Sequence, residues 1–137
     1  MDDCVFCRIV RGELPASVVH EDAHTLAIMD LGQVNPGHVL VLVKPHVQDI
    51  YGLDDELAGA LFRTVARVAR AVKQAMRPQG VTVLQANEPA GFQTVMHLHA
   101  HVLPRHDGDG VELSWPAKHP PKETLDRLAA QVRAALP

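Results

Sequence analysis

Apolar residues recur along this chain with two periods, and the periods predict its elements. Leu57, Leu61, Val65, Val68, Val72 and Met76 fall three or four residues apart, which predicts one long amphipathic helix with its apolar stripe turned to a core. Leu53, Asp54 and Asp55 open it, and Pro78 and Gly80 stop it. Its acidic start and its basic Arg63, Arg67, Arg70 and Lys73 suit the helix dipole and a solvated outer face. A shorter helix is expected over Cys4 to Val10, apolar at Val5, Phe6, Ile9 and Val10, with Gly12 as its stop. Another is expected over Lys122 to Leu136, apolar at Leu125, Leu128, Val132 and Leu136. Strands are expected at Ser17 to His20 and Thr25 to Met29, a hairpin turned at Glu21 and Asp22. Val81 to Ala86 reads as another strand, and the unbroken apolar run His38 to Val43 as a central one buried on both faces.

The period of two is clearest in Thr94 to Arg105, TVMHLHAHVLPR. Read as a strand, it sends Met96, Leu98, Ala100 and Val102 into a core. His97, His99 and His101 then share the opposite face, with Val95 and Leu103 at its ends and Pro104 closing the strand. Read as a helix, the histidines would spread over roughly 200° of arc at about 100° per residue and share no site. Strands gathered around one long helix indicate an α+β sheet with helices packed on one side. Residues 1–137 are expected to form a single domain, whose last part, 106–137, holds a turn (HDGDG), an irregular stretch and the terminal helix.

Composition narrows the class. The 137 residues are 47% hydrophobic and 21% charged, ordinary for a globular chain. A net charge of −3, from 13 basic and 16 acidic residues, gives no general duplex-DNA surface, so no nucleic-acid partner is expected. No apolar run is long enough to span a bilayer and no basic-then-apolar leader is present, so a cytoplasmic protein without membrane association is expected. The two cysteines, Cys4 and Cys7, are spaced C-x-x-C: a redox couple, half of a metal site, or an incidental pair.

Three imidazoles on one face call for a chemical reason. Solvated strand faces usually carry Thr, Lys, Glu and Ser. Two readings remain: a three-histidine metal site, or a histidine nucleophile with histidine partners, in which a neutral imidazole attacks and its neighbours donate to a phosphate or leaving group.

The whole chain resembles the histidine triad (HIT) superfamily of nucleotide-binding hydrolases and transferases. The signature H-φ-H-φ-H-φ-φ, φ apolar, is met by His97-Leu98-His99-Ala100-His101-Val102-Leu103. CVFCRIVRGELPA near the start, IMDLGQVNPGHVLVLVKPH in the middle and an Asn87 loop before QTVMHLHAHVLPR are similar to the bacterial branch close to the Hint group. The resemblance implies a five-stranded antiparallel sheet with one long and two shorter helices, and a homodimer.

It also implies roles. His99 would attack the α-phosphate of a purine nucleotide conjugate and form a nucleotidyl-histidine, its other ring nitrogen held as N–H by a backbone carbonyl. His101 would meet the phosphate or leaving group, supported by His38. Asn87, Gln93 and Thr94 would bind phosphate, and Asp30 the ribose hydroxyls. Val5, Phe6, Ile9, Ile28 and Leu31 would flank the base, with weak discrimination among purines. Phe92 departs from the glycine of many relatives, which puts the geometry of the phosphate loop in question. The resemblance implies a structural zinc held by Cys4, Cys7, His46 and His97, a closed Cys₂His₂ set. The activity implied first is nucleoside 5′-phosphoramidate hydrolysis. The alternatives are dinucleoside polyphosphate hydrolysis of the diadenosine tetraphosphate type and a nucleotide-binding regulatory protein with negligible turnover; a C-x-x-C thiol oxidoreductase is more distant. Trp115-Pro116 resembles a segment that influences the leaving group, and a plain core Trp fits the pair equally.

Overall fold

The computed structural model describes residues 3–137. Five strands, β1 (Val18–Glu21), β2 (Thr25–Met29), β3 (Val39–Val43), β4 (Gly80–Gln85) and β5 (His99–Arg105), form one antiparallel sheet in the order β1-β2-β3-β5-β4. Three helices, α1 (Val5–Val10), α2 (Asp55–Met76) and α3 (Lys122–Ala135), accompany it. Predicted boundaries of β1 to β4 shift by one residue at most: Glu21 is still strand, and the hairpin turns where the Asp22 carboxylate accepts from the His24 and Thr25 amides, both at 2.8 Å.

The apolar run of β3 is buried throughout because its two faces meet different helices. Val39, Val41 and Val43 join Leu98, Ala100 and Val102 against Leu57, Leu61, Val65, Val68 and Val72 of α2. Leu40 and Leu42 point the other way, toward Phe6 of α1, Leu26 and Ile28. The expected one-sided packing is thus corrected: α1 lies on the face opposite α2. That second, smaller core carries the histidines.

Capping fixes α2. The Asp54 carboxylate accepts from the Leu57 amide at 2.8 Å, and Asp55 and Glu56 add negative charge at the first turn. Arg77 leaves the helix in a left-handed conformation, and Lys73 donates to the Pro78 carbonyl at 2.6 Å. Met76, expected in the apolar stripe, lies partly exposed beside Gly37. Gly37 has φ +102°, and a Cβ there would come within 2.5 Å of Met76 Cγ, so the loop before β3 needs glycine on both counts.

Two expectations for the histidine strand are corrected. Its ladder starts only at His99, opposite Leu42, so Met96 lies outside the sheet and is partly exposed rather than in the core. Pro104 does not end the strand: it sits inside β5, paired with Val81. Pairing with β3 stops at Val102, and the Pro104 carbonyl on that side accepts from Asn35 Nδ2 at 2.8 Å, so the missing N–H falls where no ladder partner remains. The terminal helix forms as its period predicts, yet buries nothing: Leu125, Leu128, Val132 and Leu136 are exposed. Trp115, too, is exposed rather than core. Among the described residues no helix is long and apolar enough to cross a membrane.

Candidate active site and metal-ligating cluster

Alternation along β5 sends Leu98, Ala100 and Val102 to α2 and leaves His99 and His101 on the α1 face. His99 is buried and its Nδ1–H donates to the His97 carbonyl at 2.7 Å. The tautomer is thereby set, and Nε2 keeps its lone pair. Burial pushes the His99 pKa down, opposed by the hydrogen bond to His97 and the charge of Asp30, which keeps the ring neutral near pH 7. The Phe6 ring meets His99 edge-on, centroids 5.1 Å apart.

His99 and His101 open onto a cleft of about 260 Å³, lined also by Phe6, Ile9, Ile28, Leu31, Asp30 and Thr94. Val5 lines it too, so seven of the nine nucleotide-binding candidates meet in one place, Leu31 at its exposed rim. Met29, Leu40 and Val95 complete the wall. Sequence reasoning missed these three, although Leu40 could have been found by carrying the alternation of the histidine strand across to β3.

Asn87 and Gln93 do not line the cleft. The Asn87 amide accepts from Ile50 N at 2.7 Å and donates to Gln85 Oε1 at 2.7 Å. Gln93 is buried, accepting from Glu88 N at 2.7 Å and donating to the Gln48 carbonyl at 2.6 Å. Their side chains brace the loop, and Thr94 alone of the three lines the cleft. The departure at Phe92 has a local cost: the residue adopts φ +76° with its ring 88% exposed, a conformation that costs a non-glycine residue about 1 kcal/mol.

Behind His101 lies a chain of hydrogen bonds. The Val34 amide donates to His38 Nδ1 at 3.2 Å, so the neutral His38 ring carries its proton on Nε2. That nitrogen lies 2.9 Å from His101 Nδ1 and 3.3 Å from Asp30 Oδ2. Burial lowers the His38 pKa, with Asp30 opposing. Burial, then the neighbouring His99 and His38, lowers His101 to about 4. Asp30, His38 and His101 converge as three ligand-type atoms. A metal on His38 Nε2 would nevertheless move the proton to Nδ1, against the Val34 N–H, so this group is a hydrogen-bond chain.

The other end of the segment is different. Cys4 Sγ, Cys7 Sγ and nitrogens of His46 and His97 lie within 4.8 Å of one another. His97 Nδ1 is 3.3 Å from Cys4 Sγ and 3.5 Å from Cys7 Sγ, and His46 Nδ1 is 3.2 Å from Cys7 Sγ. The His97 ring, fully buried, donates Nε2–H to the Val43 carbonyl at 2.6 Å and so offers Nδ1 to the thiols. Burial raises the Cys7 thiol pKa, and Cys4 raises it further. Two sulfurs and two imidazole nitrogens with an outer-shell carbonyl fit a tetrahedral metal of zinc type.

Comparison with known proteins follows the same lines. Residues 11–108 match the HIT domain model. The chain is 40% identical over 115 residues to Protein hit of Bacillus subtilis, covering 83% of this chain and 79% of that one. It is 30% identical over 134 residues to an adenosine 5′-monophosphoramidase of Schizosaccharomyces pombe, covering 97% and 98%. A HIT family protein from Bacillus anthracis superposes with TM-score 0.95 at 36% identity, covering 99% of both chains. A Zn-bound histidine triad family protein from Mycobacterium smegmatis superposes with TM-score 0.77 at 34% identity, covering 98% and 99%.

Proposed function

The chain belongs to the HIT family, and on that premise we propose that it hydrolyses purine nucleoside 5′-phosphoramidates through a nucleotidyl-histidine on His99. One observation carries the reading: the His97 carbonyl holds the Nδ1 proton of His99, so its unprotonated nitrogen faces an apolar cleft with a carboxylate at one end. The base lies among Phe6, Ile9, Ile28 and Leu31, the ribose hydroxyls donate to Asp30, and Thr94 meets the phosphate.

His99 Nε2 attacks phosphorus, a P–N bond to the enzyme forms, and the bond to the leaving nitrogen breaks. The amine takes one proton from solvent as it departs. Water then attacks the same phosphorus, the P–Nε2 bond breaks, AMP leaves and one proton returns to solvent. His101, neutral near pH 7, contributes an Nε2–H hydrogen bond to the phosphoryl oxygens rather than a stored proton. Cys4, Cys7, His46 and His97 would hold zinc, which supplies a fixed structural charge pinning α1 to the segment before β5. A homodimer belongs to the same proposal.

The second reading, cleavage of dinucleoside polyphosphates, uses the same nucleophile. Among the described residues no lysine or arginine lines the cleft or the neighbouring groove of Cys4, His46, Gln48, Thr94 and Met96, a poor match to additional phosphates. Incubation with adenosine 5′-phosphoramidate and with diadenosine tetraphosphate, followed by measurement of AMP, tests the proposal. Faster AMP release from the phosphoramidate supports it, and preference for the tetraphosphate selects the second reading. Equally slow release from both that survives His99→Ala leaves a binding protein.

A further inference from the structure

His38 has one ring proton and two acceptors within reach. The Val34 amide fixes the proton on Nε2. From there His101 Nδ1 is 2.9 Å away and Asp30 Oδ2 3.3 Å. The loop that sets these distances is clamped by Gln33, whose Oε1 accepts from the Gly37 and His38 amides at 2.8 and 3.0 Å. Its Nε2 donates to the carbonyls of Asp30 and His38 at 2.6 and 2.8 Å. Asp30 Oδ1 is already engaged by the Gly32 amide at 2.8 Å. Oδ2, the oxygen beside His38, is therefore the one left for a ligand.

The two acceptors have opposite consequences for the cleft. If the His38 proton goes to His101 Nδ1, His101 must carry its own proton on Nε2 and present a donor to an anionic phosphate. If Asp30 takes the proton instead, nothing holds His101 in that tautomer. The form with the proton on Nδ1 would turn a lone pair on the phosphate. Ribose hydroxyls donating to Oδ2 would spend the acceptor capacity that competes for His38.

We propose that His38 is a positioning residue whose proton Asp30 and His101 contest, and that the ribose hydroxyls of a bound nucleotide, by occupying Asp30, commit it to His101. The sugar is then read in the chemical step as well as in binding. Gln33 and the Val34 amide are the fixed parts of the device, and Asp30 couples the sugar site to the phosphate site. The inference rests on the nucleotidyl-transfer reading above.

The test compares adenosine phosphoramidate with its 2′,3′-dideoxy analogue in single turnover, enzyme in excess and saturating. The wild type should react about tenfold more slowly with the dideoxy analogue, part of the roughly 10²–10³ that a whole phosphoryl-facing donor contributes. Asp30→Asn keeps an oxygen for the Gly32 amide and places an NH₂ beside His38, where it cannot accept the proton. In that variant the ratio of the two rates at saturation should fall to within about twofold, while the ribonucleotide, which alone has hydroxyls to donate to Asp30, binds more weakly. In the wild type, ¹⁵N NMR of the imidazoles should show AMP, and not dideoxy-AMP, driving His101 to the Nε2–H tautomer. Equal wild-type rates at saturation, with the whole sugar effect in affinity, would overturn the inference and leave the hydrolase reading standing. A ratio that persists in Asp30→Asn, or tautomers indifferent to the hydroxyls, would overturn it too. No turnover of the ribonucleotide itself would overturn the hydrolase reading first.

Discussion

His97 and His99 stand two residues apart, both buried, both tied to a backbone carbonyl, and the tie is made through opposite nitrogens. His97 gives its Nε2 proton to Val43 and offers Nδ1 to two thiols. His99 gives its Nδ1 proton to His97 and keeps Nε2 for the cleft. One residue type thus becomes a metal-ligand candidate in one region and a nucleophile candidate in the next. What differs is which carbonyl lies within reach. The carbonyl that fixes His99 belongs to His97, so the thiol cluster and the cleft share a peptide unit.

The sharpest way to separate the two regions is to empty the cleft alone. His99→Gly should lower turnover by four or more orders of magnitude, the scale seen when a covalent nucleophile is lost. AMP affinity should stay within about tenfold, because Asp30 and the apolar wall are intact. Metal content should be unchanged. Activity retained in this variant would remove His99 from the nucleophile's role.

The reverse experiment empties the other region. Cys4→Ser, or prolonged chelation of untagged protein, should release zinc and lower stability by about 4 kcal/mol, the linkage expected of an ion held about a thousandfold above its Kd. Turnover should fall less than in His99→Gly, through loosening of the peptide between the two rings. Fewer than about 0.3 zinc per chain in the wild type, with Cys4→Ser as stable as the parent, would reject the metal reading.

How much of this was legible in the sequence differs between the regions. The period of two in LHAHV placed His99 and His101 correctly on one face, because β5 is laddered there on both sides. The same period failed at Met96, since alternation has structural meaning only where a neighbouring strand enforces it, and pairing begins at His99. A separate rule, that proline closes a strand, failed at Pro104, whose missing N–H costs nothing once β3 has ended. Leu125, Leu128 and Val132 show the limit for helices: periodicity predicts a helix with an apolar stripe and says nothing of what the stripe meets. The thiol pair could be placed beside His46 and His97 only through resemblance, because partners 39 and 90 residues away leave no local pattern. Gln33 and Val34 left no signal at all: one acts through its backbone amide, the other by bonding backbone.

Protonation sharpens the comparison further. His101, with a folded pKa of about 4 against an unfolded value near 6.5, binds its proton less readily in the folded chain. His38 shifts in the same direction. Between pH 6.5 and 4 the unfolded chain therefore takes up more protons, and stability is lost as the pH falls through that window. His101 alone accounts for up to about 3 kcal/mol by pH 4, and nothing further is gained from it above 6.5. Urea midpoints at pH 7.5, 5.5 and 4.5 should fall in that order. A flat series would mean that His101 and His38 are not buried in solution as they are here.

The smallest expected effect belongs to the side chain that touches both regions. Phe6 meets the rings of His97 and His99 edge-on, at 5.9 and 5.1 Å. If each imidazole is oriented by its carbonyl, Phe6 only fills space between them. Phe6→Leu should then cost about 1 kcal/mol for a lost edge contact and an imperfect refill, and keep turnover at saturation within about tenfold. Metal content should not change. A hundredfold loss of turnover together with loss of metal would mean that this ring, and not the two backbone carbonyls, holds the imidazoles in their opposite tautomers. The distances of 2.6 and 2.7 Å to those carbonyls favour the first outcome, since a short hydrogen bond fixes a ring's rotation and its proton together, whereas an edge contact fixes neither.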